Sequence, residues 1–81
     1  MGIEYKIRFP VPLGFGIEQL QRKLPASEVA SGQMPVYDFT LEADGFYFVD
    51  HLNDASISAL AMRVLIDEAL RVTPSVQISE L

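Results

Sequence analysis

The sequence has no cysteine and only one histidine among its 81 residues. Without cysteine, the protein forms no disulfide, binds no metal through thiolates and uses no cysteine nucleophile. Zinc sites usually draw on several histidine or cysteine ligands, so we expect no metal ion, and no other cofactor is indicated. The lack of disulfides fits a reducing compartment, and we expect a cytoplasmic protein.

Long apolar runs and an excess of basic residues are also missing. No run approaches the roughly 20 apolar residues that a membrane-spanning helix needs. The opening residues, MGIEYKIRF, lack the apolar stretch of a secretory signal. Six Lys and Arg stand against eleven Asp and Glu, which gives a net charge of −5. We therefore expect neither a membrane nor a nucleic acid as partner, because an acidic surface repels phosphate groups.

Apolar residues are plentiful enough for one hydrophobic core. They make up 49% of the chain, and a chain of this length supports a single domain, residues 1–81. Three segments alternate apolar and polar residues, and a fourth is a short apolar run. Both patterns predict strands. The predicted strands are residues 3–9, 36–42, 46–49 and 75–79.

Two further segments have helical spacing. Residues 15–24 form a short predicted helix that Pro25 ends. A long helix is predicted from a cap at Asn53 or Asp54 to about Leu70 or Arg71. Residues 25–35 are predicted to be a loop, with room for one helical turn before Gly32.

The resulting order is β-α-β-β-α-β, which predicts an α+β fold. It has the connectivity of the ferredoxin-like split βαβ arrangement, in which two helices cover one face of a four-stranded antiparallel sheet. This fold class supports many unrelated functions, so function has to be argued from particular residues.

The hairpin after residue 42 admits two registers. A two-residue turn at Asp44 and Gly45 pairs Ala43 with Phe46 and places Asp38 opposite His51. A three-residue turn pairs Glu42 with Phe46 instead. The first register is favoured because it turns Phe46 and Phe48 toward the core.

The sheet face away from the helices is the first candidate site. We expect it to carry the polar and aromatic side chains of Lys6, Arg8, Asp38, Tyr47 and His51. Lys6 and Arg8 are expected to be exposed, as on an ordinary solvated sheet face. His51 with Asp38 would be the basis of an enzyme, but no nucleophile motif accompanies them, and we assign no catalytic residue.

Gly14 and Gly16 form a second candidate, for a small ligand. Glycines before a helix can bring backbone N–H groups close to an anion. The dinucleotide-binding motif needs a third glycine, however, and Gln19 stands at that position.

The long helix is the third candidate. Its apolar arc is wider than packing on a sheet requires. We expect Ile57, Leu60, Val64 and Leu65 to face the sheet, and Met62, Ile66 and Leu70 to form an interface. The sequence thus favours a small non-catalytic protein-interaction domain, either a homodimer or the acidic partner of another protein. A ligand-binding regulatory module is the alternative.

Overall fold

The computed structural model describes residues 2–27 and 34–81. The elements are strand β1 (Ile3–Arg8), helix α1 (Ile17–Lys23), strands β2 (Tyr37–Glu42) and β3 (Gly45–Asp50), helix α2 (Ala55–Leu70) and strand β4 (Gln77–Glu80). This confirms the predicted α+β class and the order β-α-β-β-α-β. The helical turn suggested before Gly32 lies outside the described residues.

The four strands form one antiparallel sheet in the order β2-β3-β1-β4. β3 and β1 are therefore central, while β2 and β4 lie at the edges. The side chains of Ile7, Phe46 and Phe48 point to one face, because Ile7 pairs with Phe46 and Tyr5 pairs with Phe48.

The hairpin register differs from both predictions. Glu42 pairs with Gly45 and Leu41 pairs with Phe46, so that Ala43 and Asp44 form the turn. This register is shifted by two residues from the favoured prediction. A shift of two leaves each side chain on its predicted face. Phe46 and Phe48 accordingly point inward with Tyr37, as expected.

Gly45 explains the shift. Its φ is +145°, and a Cβ atom there would lie only 2.0 Å from the carbonyl oxygen of Ile7. The glycine is therefore needed where β3 approaches β1, and the tight turn falls on the two residues before it. Only a residue without a side chain fits so close to a neighbouring backbone.

The core lies between this sheet face and both helices. Tyr37 stacks on Phe48 with ring centroids 5.6 Å apart, and Phe46 contacts Phe9 at 5.1 Å. The hydroxyl of Tyr37 donates a hydrogen bond to the carbonyl of Pro25 (2.5 Å). The buried apolar residues are Ile7, Phe9, Leu20, Val36, Tyr37, Phe46, Phe48, Ala61, Leu65 and Ala69.

Polar contacts at the start of α2 fix how this helix lies on the sheet. Asp54 caps the helix by accepting a hydrogen bond from the backbone N–H of Ile57 (3.1 Å). One turn later the buried Ser58 hydroxyl donates to Asp50 Oδ1 at the end of β3 (2.8 Å). Ser58 lies on the same side of the helix as the buried residues Ala61, Leu65 and Ala69.

Gly45→Ala should destabilise the protein strongly. We expect a loss of about 3 kcal/mol in the free energy of unfolding, because the methyl group adds a backbone clash to an unfavourable φ. Gly14→Ala is the matched control: its φ is also positive, at +75°, but nothing lies within 4 Å of the added methyl, so a loss of about 1 kcal/mol is expected. Urea unfolding measures both. Equal losses would show that the approach to Ile7 does not constrain the hairpin.

Candidate functional site

The sheet face away from the helices, called the open face here, is rich in charge. The alternating register places on it residues from all four strands. These residues are Glu4, Lys6, Arg8, Asp38, Thr40, Glu42, Tyr47, Val49, Gln77 and Ser79. His51 continues this alternation just beyond β3.

Lys6 is not exposed, contrary to the sequence expectation. Only 7% of its surface is accessible. Its ammonium group forms ion pairs with Glu42 and, at 2.6 Å, with Asp44 Oδ1. The central position of β1 covers the aliphatic part of Lys6, and the β2–β3 hairpin brings both carboxylates to its charged end. Arg8 is exposed, as predicted, and Thr40 on β2 is exposed as well.

Hydrogen bonding shifts the pKa values of this cluster. The hydrogen bond from Lys6 lowers the pKa of Asp44 below its ordinary value. The reciprocal bonds to Asp44 and Glu42 raise the pKa of Lys6. Both shifts favour the charged forms of Lys6 and Asp44, as expected for an ion pair.

Tyr47 and Arg8 are likewise engaged with neighbouring strands. The Tyr47 hydroxyl donates a hydrogen bond to Glu4, and this bond raises the pKa of Tyr47. Arg8 Nη1 contacts the Ser79 hydroxyl at 3.3 Å. Lys6, Arg8 and Tyr47 on the open face therefore form hydrogen bonds within the sheet, and fewer polar groups remain to bind a ligand.

Asp38 and His51 do come together, through a different register from the predicted one. Asp38 lies opposite Val49, and His51 lies diagonally beyond it, with its backbone N–H donating to the carbonyl of Val36 (3.1 Å). Asp38 Oδ2 is 2.7 Å from His51 Nε2. Within residues 2–27 and 34–81, no hydroxyl bonds to this ring. The pair thus resembles the histidine and orienting carboxylate of a catalytic triad, without a hydrogen-bonded nucleophile among the described residues.

Gly14 and Gly16 lie beside a shallow hollow of about 490 Å³. Its lining comes from the single segment Gly14–Gln19, so no second element encloses it. The following helix, α1, has only seven residues, and no side chain caps its first turn. This geometry gives little support to a ligand site at the glycines.

Clusters of metal-ligating side chains and membrane-spanning helices were both sought in the described part of the chain. No group of three or more His, Asp or Glu side chains there could hold a metal ion. Of the helices in the same residues, none could span a membrane, the longer one having 16 residues.

The orientation of α2 differs in part from the sequence expectation. Leu60 points to solvent and is 54% exposed, although it was predicted to face the sheet. The side of α2 that packs on the sheet is formed by Ser58, Ala61, Leu65 and Ala69, and Leu60 lies on the opposite side of the helix. Glu68 faces α1 and pairs with Lys23 (2.5 Å).

Met62, Ile66 and Leu70 share the side of α2 opposite Glu68, since successive helical residues are turned by about 100°. We call these three residues the α2 flank. Met62 and Ile66 pack partly on the core, while Leu70 is 43% exposed. The flank is thus apolar and faces away from α1.

A small cavity adjoins the α2 flank near the start of the helix. It has a volume of about 240 Å³ and extends from Met62 to Tyr5 on β1. Its other lining residues are Phe48, Asp50, Ala55, Ser58 and Ala59.

On β4, the strand beyond β1, Ile78 is 45% exposed on the helix side of the sheet. Sequence reasoning missed Ile78, although its alternation with Gln77 and Ser79 carried the signal.

Asp44→Asn should reduce stability at neutral pH and weaken its dependence on acid. The pKa of Asp44 is lowered in the folded protein, so its contribution is present above the ordinary value of about 3.8. That contribution is lost as the pH falls through the lowered pKa. Urea unfolding between about pH 2 and pH 7 measures the effect.

The control for this prediction removes the partner. In a Lys6→Met background, Asp44→Asn should alter the acid dependence much less, because the hydrogen bond that lowers the pKa is already gone. The same change in both backgrounds would contradict the assignment to Lys6.

Comparison with known proteins gives no relative from which to transfer a function. No protein-family model matches the chain, and neither a curated protein nor a solved structure matches it significantly.

Proposed function

We propose that this protein is a non-catalytic protein-interaction domain that forms a homodimer through the α2 flank. The observation that carries the proposal is the position of Met62, Ile66 and Leu70 on one side of the helix, turned away from α1. Burying an apolar surface of this kind against a partner stabilises the complex by about 25 cal/mol per Å² of apolar area removed from water. Exposed apolar patches often mark protein interfaces.

The polar surfaces of the molecule support other functions less well. On the open face, Lys6 is held between two carboxylates and Tyr47 is bonded to Glu4. A ligand would have to break these pairs before it could use the same groups. Binding at Leu70 on the α2 flank breaks no such pair, because the exposed part of this side chain contacts only solvent.

A small-ligand role has less geometric support. The cavity beside Met62 has about 240 Å³, whereas small-molecule sites usually have about 300–1000 Å³. Its carboxylate, Asp50, is already used by Ser58 and by the backbone N–H of Leu52 (2.8 Å).

We also propose the ferredoxin-like split βαβ arrangement as the finer description of the fold. The strand order β2-β3-β1-β4 and the shared core of both helices support it. In such an arrangement the two helices lie side by side on one sheet face. The α2 flank then lies on the side of the helix layer that borders β1 and β4.

Leu70→Glu and Ile66→Glu should convert a dimer to a monomer, because each buries a charge in the proposed interface. Light scattering during size-exclusion chromatography at about 100 µM protein should give the mass of a dimer for the unchanged protein. This concentration lies well above a dimer Kd of about 1 µM, which corresponds to a binding free energy of about −8 kcal/mol. Far-UV circular dichroism should stay native for Leu70→Glu, whose side chain is already exposed in one chain.

Leu60→Glu is the matched control, since it adds the same charge to an exposed leucine on another side of α2. It should remain dimeric. A monomeric unchanged protein, or a dimer that survives Leu70→Glu, would refute the proposed function.

A further inference from the structure

Strand β4 has one free edge in the described chain. It pairs only with β1, and the backbone N–H of Leu81 donates to the carbonyl of Glu4 (2.8 Å). In an antiparallel pair, hydrogen-bonded residues alternate along the strand. Gln77 and Ser79 therefore bond to β1, whereas the backbone groups of Ile78 and Glu80 point outward. Such an edge is a template for another strand.

Apolar side chains lie beside this edge. Ile78 points to the helix side of the sheet, opposite Ile7, and is 45% exposed. The α2 flank borders the same region, because the cavity beside Met62 reaches Tyr5 on β1. Unpaired backbone groups, an exposed isoleucine and an apolar helix side thus occur together.

The area that a dimer needs indicates that the helix does not act alone. A specific interface buries about 800 Å² per partner, which is about 15% of the 5189 Å² surface of this chain. The α2 flank has three side chains, of which Met62 and Ile66 are already half-buried. A second contact surface is required, and β4 is the nearest candidate, because its Glu80 pairs with Tyr5 at the cavity beside the flank.

We infer that the occupant of this edge is β4 of a second copy, so that two sheets join into one sheet of eight strands. This inference rests on the homodimer proposed above and adds how the two chains meet. The strands run antiparallel, with Ile78 on the two-fold axis. Each Ile78 exchanges both outward backbone hydrogen bonds with Ile78 of the second copy, and the two side chains touch on the helix side.

The sequence of β4 suits pairing with itself in this register. On the open face, Gln77 meets Ser79 of the second copy, and these polar side chains can hydrogen-bond. On the helix side, Val76 faces Glu80 of the second copy. The two Glu80 side chains are four residues apart along the strands, about 13 Å, which exceeds the screening length of about 8 Å at physiological salt. No like charges oppose each other.

The other edge is less suited to a second copy. β2 carries two acidic residues, Asp38 and Glu42, and no basic residue. Antiparallel pairing of two β2 strands would bring four carboxylates onto the open face, next to Asp44 of each turn, and Lys6 of each chain offsets only part of this negative charge. Repulsion between them would oppose association, so the inference selects β4.

Hydrogen exchange of backbone amides, followed by NMR, tests the strand pairing in the unchanged protein. The amides of Ile78 and Glu80 should become at least about tenfold more protected between dilute and dimeric samples, since hydrogen-bonded amides exchange only on opening. The amide of Ser79, which bonds to β1 in either state, is the internal control. Rapid exchange of Ile78 and Glu80 in a sample shown to be dimeric would overturn the inference.

Ile78→Lys provides the second test, because a charge on the inner side of an edge strand prevents pairing. The dimer Kd should rise at least about tenfold. Thr40→Lys, which places the same charge on the exposed surface of β2, should leave the Kd within about twofold.

Failure of this inference and failure of the proposed function give different results. If Leu70→Glu separates the chains while Ile78→Lys leaves the Kd unchanged, the flank joins the two copies and the strand pairing is wrong. If the unchanged protein is monomeric at about 100 µM, the proposed function fails and the pairing fails with it.

Discussion

The close approach of β3 to β1 at Gly45 is the constraint on which the rest of the structure depends. No Cβ atom fits there, since it would lie 2.0 Å from the Ile7 carbonyl oxygen. The glycine therefore enters the strand, and Ala43 and Asp44 make the turn. With this register set, Phe46 packs opposite Ile7 in the central pair of strands, and the core forms around them.

The same register organises the open face. It carries Asp44 to the end of the hairpin, where its carboxylate meets Lys6 from the central strand. It also leaves Asp38 diagonal to His51, close enough for a 2.7 Å contact. The charged groups of this face consequently cross-link neighbouring strands. Such pairs join side chains of adjacent strands in this one register.

The sequence allowed the element order, the inward faces of the strands and a helix cap at Asn53 or Asp54 to be predicted, because each depends on short-range pattern. It did not allow the hairpin register to be chosen, since a shift of two residues preserves every inward face. The burial of Lys6 depends on carboxylates about 36 positions away, and the exposure of Leu60 depends on which side of α2 packs on strands from other parts of the sequence. Alternation and helical spacing contain no information on such distant pairs.

The candidate interface lies where the two helices leave the helix side of the sheet partly uncovered, at strand β4. α1 has seven residues and α2 has sixteen, and α2 is held above the end of β3 by Ser58 and Asp50. Because β4 lies beyond β1, at the opposite edge from β2, the helix layer does not reach all of it, and Ile78 stays partly in water. In the proposed dimer, a second copy would cover this surface and would also pair with the β4 edge that the described chain leaves open, which no side chain on α2 could do.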